Sequence, residues 1–240
     1  AAEGARSEPG RRARRPRAEL TGMLLRELQN LLAGLYDAPA EHDVYDFLIT
    51  DAAHAAALVG SPAPPATDEQ LLVAEDDEGV ELSLYVDQAV LARLGERCPL
   101  RSLSEENLAE YCTALEGVSH FHYFVWSAGR ERTVSLLELE LQAEVDKYAS
   151  ALRLMLEQRS GRFPGELFER LFERVAFLPT LSAVERGRYE EAHRFAARFC
   201  RRLEERFLRR RQARPEAMLA ELRAFYRLGR HAKLRHAAQW

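Results

Sequence analysis

Two pairs of side chains in this sequence have types and spacing suited to chemistry between helices. Glu116 and His120 stand four residues apart, and Glu140 and Glu144 repeat that interval farther along. On a helix, residues at i and i+4 share a face. Glu190-x-x-His193 adds a carboxylate and an imidazole at i and i+3. Carboxylates and imidazoles gathered between helices form the donor set of a carboxylate-bridged divalent metal site. If the helices carrying Glu116 and Glu140 run antiparallel about a tight loop at 128–133, Glu140 and Glu144 come level with the stretch from Glu116 to His120. A ferritin-like site asks for two Glu-x-x-His pairs and two more glutamates, whereas only one such pair occurs here, so a metal is the alternative reading and no cofactor is the leading one. The plainer expectation for Glu144, which falls between Leu141 and Tyr148 in an apolar stripe, is a buried carboxylate in a polar network. Left unpaired it would cost several kcal/mol.

A second surface is cationic. On a helical wheel over 183–211, Phe195, Phe199, Leu203 and Phe207 share one face, and Arg194, Arg198, Arg201, Arg202 and Arg209 form an adjoining stripe. Arg210 and Arg211 extend it, and Arg223, Arg227, Arg230, Lys233 and Arg235 carry the positive character onward. Guanidinium groups bind phosphate bidentately, so such a stripe suits a polyanion: nucleic acid, or an acidic protein surface. Phe225, Tyr226 and Trp240 are candidates for base stacking. The alternative is a solvated face that pairs with the acidic part of the same chain. Only two lysines occur, Lys147 and Lys233, so nearly every positive charge is arginine, a bias that a GC-rich genome also produces.

Nucleophile signals are thin. Cys112, Ser119 and His122 share a helical stripe, but a helix interior lacks the exposed turn that presents a nucleophile. Asp51, among Leu48, Ala55 and Leu58, suggests an ion pair with an arginine of the C-terminal arm.

The elements that must position these residues are mostly helices. Residues 1–18, rich in Arg, Pro and Gly, read as a disordered basic tail. Leu20, Leu24, Leu28, Leu31, Leu32 and Leu35 mark a first helix broken at Asp37-Ala-Pro, and Val44, Phe47, Leu48, Ala55 and Leu58 a second that ends near Gly60. Alternation from Val80 to Val86, preceded by Leu71–Ala74, predicts one β-hairpin over about residues 70–87, lying against helices. Asp87 is placed to cap a short helix. Ser104 opens a helix through Trp126 that Gly129 ends, Ser135 with Glu138 and Ser182 with Glu185 form capping boxes for two more, and Pro164 and Pro215 stand at first turns. The fold class expected is mainly α, a bundle-like single domain over 19–240 with one hairpin.

Charge is divided along the chain. Between Glu19 and Ser150 roughly 25 acidic residues face about 7 basic ones, whereas from Arg186 to Trp240 about 16 basic residues face about 6 acidic ones. An acidic body at 19–181 therefore precedes a basic helical arm at 182–240. No apolar run approaches the ~20 residues that span a bilayer, so no membrane partner is expected. Cys98, Cys112 and Cys200 have neither disulfide-framework nor zinc spacing, and the expected setting is a reducing cytoplasm. The function expected is binding or regulation, with the arm engaging an acidic partner. The alternatives are a helical enzyme with a carboxylate–histidine metal site and a structural subunit of a larger assembly.

Overall fold

A computed structural model describes residues 23–76, 79–209 and 214–239. The tail at 1–18, Arg210, Arg211 and Trp240 lie outside the described residues. Mainly α architecture with a small β element is what the chain adopts. Helix α1 (Leu24–Tyr36) buries Leu24, Leu25, Leu28, Leu32 and Leu35 and stops where Asp37 turns left-handed at φ 50°.

The second helix expected over 44–60 does not form. In its place come a 3₁₀ turn (Val44–Asp46), a short strand β1 (Leu48–Ile49) and helix α2 (Ala52–Leu58). The reason is local and polar. Asp43 accepts the Tyr45 amide (3.0 Å), Asp51 accepts that of His54 (2.7 Å), and each acid starts a new short element instead of continuing one. Asp51 is therefore a helix cap and has no arginine of the arm as partner among the described residues, which corrects that expectation.

Strands β2 (Glu69–Asp76) and β3 (Gly79–Val86) form the hairpin, with Leu71 opposite Leu84. β1 joins β3 in parallel, giving the order β1-β3-β2. This third strand covers the other face of β3, where Tyr85 is buried: it packs with Ala55 and Leu72 in a small second cluster, while Leu84 and Val86 face the main core.

Asp87 caps α3 (Gln88–Glu96) through the Ala89 amide at 2.7 Å. α4 (Leu108–Ala128) starts after Asn107 and not at Ser104. The Asn107 side chain accepts from the Ser104 amide and donates to the carbonyls of Arg97 and Ser102, so it pins the preceding loop. α5 (Leu136–Gln158) returns antiparallel to α4. Its capping box is half made: Ser135 accepts the Glu138 amide, but the Glu138 carboxylate turns to Tyr123 and Arg132 instead. Where Pro164 suggested a helix there is one wide π-helical turn (Glu169–Glu173), held by Phe168 and Phe172 against Tyr148. α6 (Ala183–Leu203) has the complete Ser182–Glu185 capping box and ends in a second π-turn (Glu204–Leu208), short of the expected Arg211. α7 (Pro215–Tyr226) and α8 (Arg230–Gln239) close the chain.

α4 runs through the middle. Tyr111, Leu115, Val118, Phe121, Tyr123 and Trp126 are buried on its several sides, against α1, α3, α5 and the sheet. Its middle, 117–123, is covered on all sides and leaves no solvent face for polar residues, so Gly117, Ser119, His120 and His122 are all buried. No helix among the described residues is long and apolar enough to cross a membrane.

Candidate metal centre

The antiparallel pairing of α4 and α5 sets Glu116 and His120 opposite Glu140, and one donor atom from each lies within 4.8 Å of the others. His120 is at the middle. Its Nε2 is 3.5 Å from Glu140 Oε2, and its Nδ1 is 3.6 Å from Oε2 of Glu69, which reaches in from β2. Both separations are longer than a hydrogen bond. Accordingly His120 Nε2 and Glu69 Oε2 are buried without a hydrogen-bond partner, as is Arg188 Nε beside them.

Two cations orient the carboxylates. Lys147 holds Oε2 of Glu116 at 3.0 Å, and Arg188 of α6 lies 3.6 Å from Oε1 of Glu140. Glu116 thus has one oxygen tied to a cation, while Glu140 turns one oxygen toward Arg188 and the other toward His120. Fixing ligand side chains through outer partners is how protein metal sites set donor direction. Gly117 completes the arrangement. A Cβ there would stand 3.2 Å from Glu69 Oε2 and 3.1 Å from Leu84 Cδ1, so only glycine lets Glu69 approach without displacement.

Glu144 and His193 belong to the same network but point elsewhere. Glu144 gives one oxygen to Lys147 and the other to His193 Nδ1 (3.1 Å), whose Nε2 faces the Phe172 carbonyl (3.1 Å). All four atoms are engaged, so neither residue has a donor to offer. Glu190 is exposed on α6, away from the cluster. Glu69, Lys147 and Arg188 escape a sequence reading: a strand glutamate and two ordinary cations carry no spacing signal. Alternation in β2 could only have shown that Glu69 shares a face with Leu71.

The electrostatics follow from burial and pairing. Burial raises Glu116 to about 7, against the opposing pull of Lys147. Burial disfavours the charged forms of His120 and Lys147, yet the carboxylates outweigh it and both are held above their ordinary values: His120 by Glu140 and Glu69, Lys147 by Glu116 and Glu144. Glu144 is brought down to about 2 by Lys147 and His193 despite its burial. Four carboxylates (Glu69, Glu116, Glu140, Glu144) therefore meet four nitrogen groups (His120, Lys147, Arg188, His193) in one buried network.

Elsewhere the candidates of the sequence disperse. His122 is buried, its imidazole pushed down to about 4 by desolvation, and it faces Tyr226 and not His120. Ser119 donates to Asp146 at 2.6 Å, and Cys112, raised to about 12 by burial, faces a different cavity, so no nucleophile–base pair forms.

In the arginine stripe, Arg201 pairs with Glu173 and lies 3.7 Å over the Phe168 ring, Arg209 pairs with Glu204, and Arg202 donates to the carbonyls of Ala237 and Ala238 at the end of α8. Arg194 and Arg198 are exposed, with no carboxylate within 4.0 Å among the described residues. Phe225 and Tyr226 are fully buried and cannot stack on bases. The arm meets the body through backbone carbonyls: Arg223 donates to those of Gly34 and Leu35, and Arg227 to those of Tyr36 and Asp37. These are the orphan acceptors at the end of α1, where a cation also meets the negative end of the helix dipole.

No protein-family model matches this chain, and no curated protein or solved structure matches it.

Proposed function

We propose that the protein binds a divalent transition-metal ion between α4 and α5, with Glu116, His120 and Glu140 as ligands and Glu69 of β2 as the outer partner of His120 Nδ1, and that it acts through this centre. One observation carries the reading: His120 is buried between two carboxylates that it does not hydrogen-bond, with its Nε2 and Glu69 Oε2 left unpartnered. Buried polar atoms nearly always have partners, and an uncompensated one costs about 1–3 kcal/mol. Ligand atoms ~2.1 Å from a shared ion lie roughly 3–3.5 Å from one another. The His120–Glu140 separation already matches that spacing, and the Glu116 donor lies within 4.8 Å of both. Two carboxylates and one imidazole suit Mn²⁺, Fe²⁺, Co²⁺ or Zn²⁺ over soft, thiolate-seeking ions.

The test is a Co²⁺ titration of chelator-treated protein, followed by visible absorption, with metal analysis of protein purified without chelator. About one equivalent should bind, and His120→Ala should abolish the spectrum. Binding that His120→Ala leaves unchanged overturns the reading.

A second reading keeps the arm as a polyanion-binding surface, favoured by the exposed and uncompensated Arg194 and Arg198. In that case affinity for duplex DNA should fall with salt by a log–log slope of roughly −2 for two phosphate contacts, and more if Arg210 and Arg211 join. Three free cysteines fit the reducing cytoplasm proposed for either reading.

A further inference from the structure

A cavity of about 360 Å³ opens beside this network, between the first turns of α4, the middle of α5 and the π-turn at Glu169–Glu173. Its volume is at the small end of the range for small-molecule sites. Leu108, Leu171 and Val175 line it with Cys112, and its charged lining sets Lys147, Arg170 and Arg174 against Glu105 and Glu144, the latter already paired with Lys147 and His193. Two features give it chemical direction. An ammonium group has three N–H donors, and Lys147 directs only two of them, at Glu116 and Glu144. Arg170 is three-quarters buried, with 26% of its side chain exposed, and meets Glu105 through one nitrogen at 3.2 Å; Glu105 itself is 72% exposed. A bound acid can therefore replace Glu105 at Arg170, because a surface carboxylate gains little from such a pair. The thiol of Cys112, kept protonated by burial, adds bulk and no charge.

We infer that this cavity binds a small organic acid, with an apolar body against Leu108, Leu171 and Val175 and its carboxylate on Arg170 or on the free N–H of Lys147. The inference goes beyond the metal reading, since none of these contacts requires an ion. It bears on that reading because Lys147 joins the cavity to Glu116, which places the bound molecule next to the proposed centre.

The experiment is ¹H–¹⁵N NMR of the full chain titrated with benzoate and hexanoate, with hexanol as the neutral control, in chelator-treated and in Co²⁺-loaded protein. The acids should shift the amides of Ala109, Cys112 and Leu171 in both preparations, and hexanol should bind at least about tenfold more weakly, since a hydrogen bond to a charged group is lost. Arg170→Ala, at a side chain near the surface, should weaken the acids by a similar factor. Leu171→Trp, which fills the cavity, should block them while leaving Co²⁺ uptake intact. Equal binding of hexanol, shifts confined to other regions, or indifference to both substitutions overturns the inference. Acid binding in protein that takes up no Co²⁺ leaves the cavity standing and removes only the metal.

Discussion

Helix α5 separates two buried polar clusters that differ in how completely they are satisfied. On one side Asp146 accepts from the Tyr36 hydroxyl, from Ser119 (2.6 Å) and from the Gln142 amide (2.6 Å), while Gln142 in turn accepts from Lys233. Lys233, fully buried, is packed 4.1 Å over the Tyr123 ring, with Phe225 and Tyr226 nearby. Tyr36, Ser119, Gln142 and Asp146 are matched donor to acceptor, aromatic faces take the remaining charge of Lys233, and the buried Tyr226 hydroxyl beside them has no partner. On the other side Glu69, His120 and Arg188 each keep a buried atom without a hydrogen bond. The Asp146 cluster is also the more deeply buried: Asp146, Gln142 and Lys233 are at most 1% exposed, whereas Glu116 and Arg188 keep 20% of their side chains exposed. The unmatched atoms on the His120 side belong to an imidazole and a carboxylate that face each other, which leaves room there for one more partner.

The comparison breaks most readily at Asp146. Asp146→Ala strands Tyr36, Ser119, Gln142 and Lys233 at once and should cost about 3–5 kcal/mol in urea denaturation, with Co²⁺ affinity unchanged. A loss of metal binding there would mean that the two clusters are one. Glu140→Gln should do the converse, lowering Co²⁺ affinity by about 100-fold, the upper end of what even outer-shell changes cost, with little loss of stability.

The Asp146 cluster also has a pH signature. Burial raises Asp146 to about 6 and lowers Lys233 to about 7, with Glu138, Asp146 itself and Arg132 the nearby charges acting on the lysine. A raised carboxylate contributes stability below its unfolded value of about 4 that is lost as pH climbs through 6. A depressed lysine contributes stability above its unfolded value of about 10.4 that is lost as pH falls through 7. The two together give a shallow minimum at pH 6–7, which the double variant Asp146→Asn, Lys233→Met should flatten in a pH series of urea midpoints. Gly117→Ala sharpens the distinction further: by pushing Glu69 off His120 it should weaken Co²⁺ by about tenfold, as for other outer-shell changes, and leave that pH profile alone. The smallest effect is expected at Arg227, which bonds the backbone carbonyls of Tyr36 and Asp37 and no polar side chain of either cluster, where replacement by Ala should cost about 1 kcal/mol and leave metal binding unchanged.

Much of the helical frame could be read from the chain because its signals are local. Ser182 and Glu185 sit three apart and form their box, Asp87 caps, and Asp37 stops α1. The level placement of Glu116, His120 and Glu140 followed from i, i+4 spacing and one tight loop. What could not be read depends on distant partners. Residues 44–60 carry a helical apolar pattern, yet Leu48 and Ile49 pair with β3, and tertiary pairing overrides the pattern. Glu69 reaches His120 from 51 positions away because Gly117 leaves space for it, and nothing in a wheel or an alternation reports such space. The arginines of the arm looked like an outward row because a wheel shows faces and not acceptors, whereas Arg202, Arg223 and Arg227 find theirs among peptide carbonyls.

Those carbonyl contacts have a consequence for how the chain is made. The last turn of α1 is finished by guanidinium groups that follow it by 188 to 191 positions. During synthesis its terminal acceptors must stay hydrated until α7 has emerged and swung back, so a helix translated well before the arm is sealed only after it. Closing so long a loop is slow relative to zipping a helical hairpin, which sets an order of assembly: α4 with α5 first, the arm onto α1 at the end.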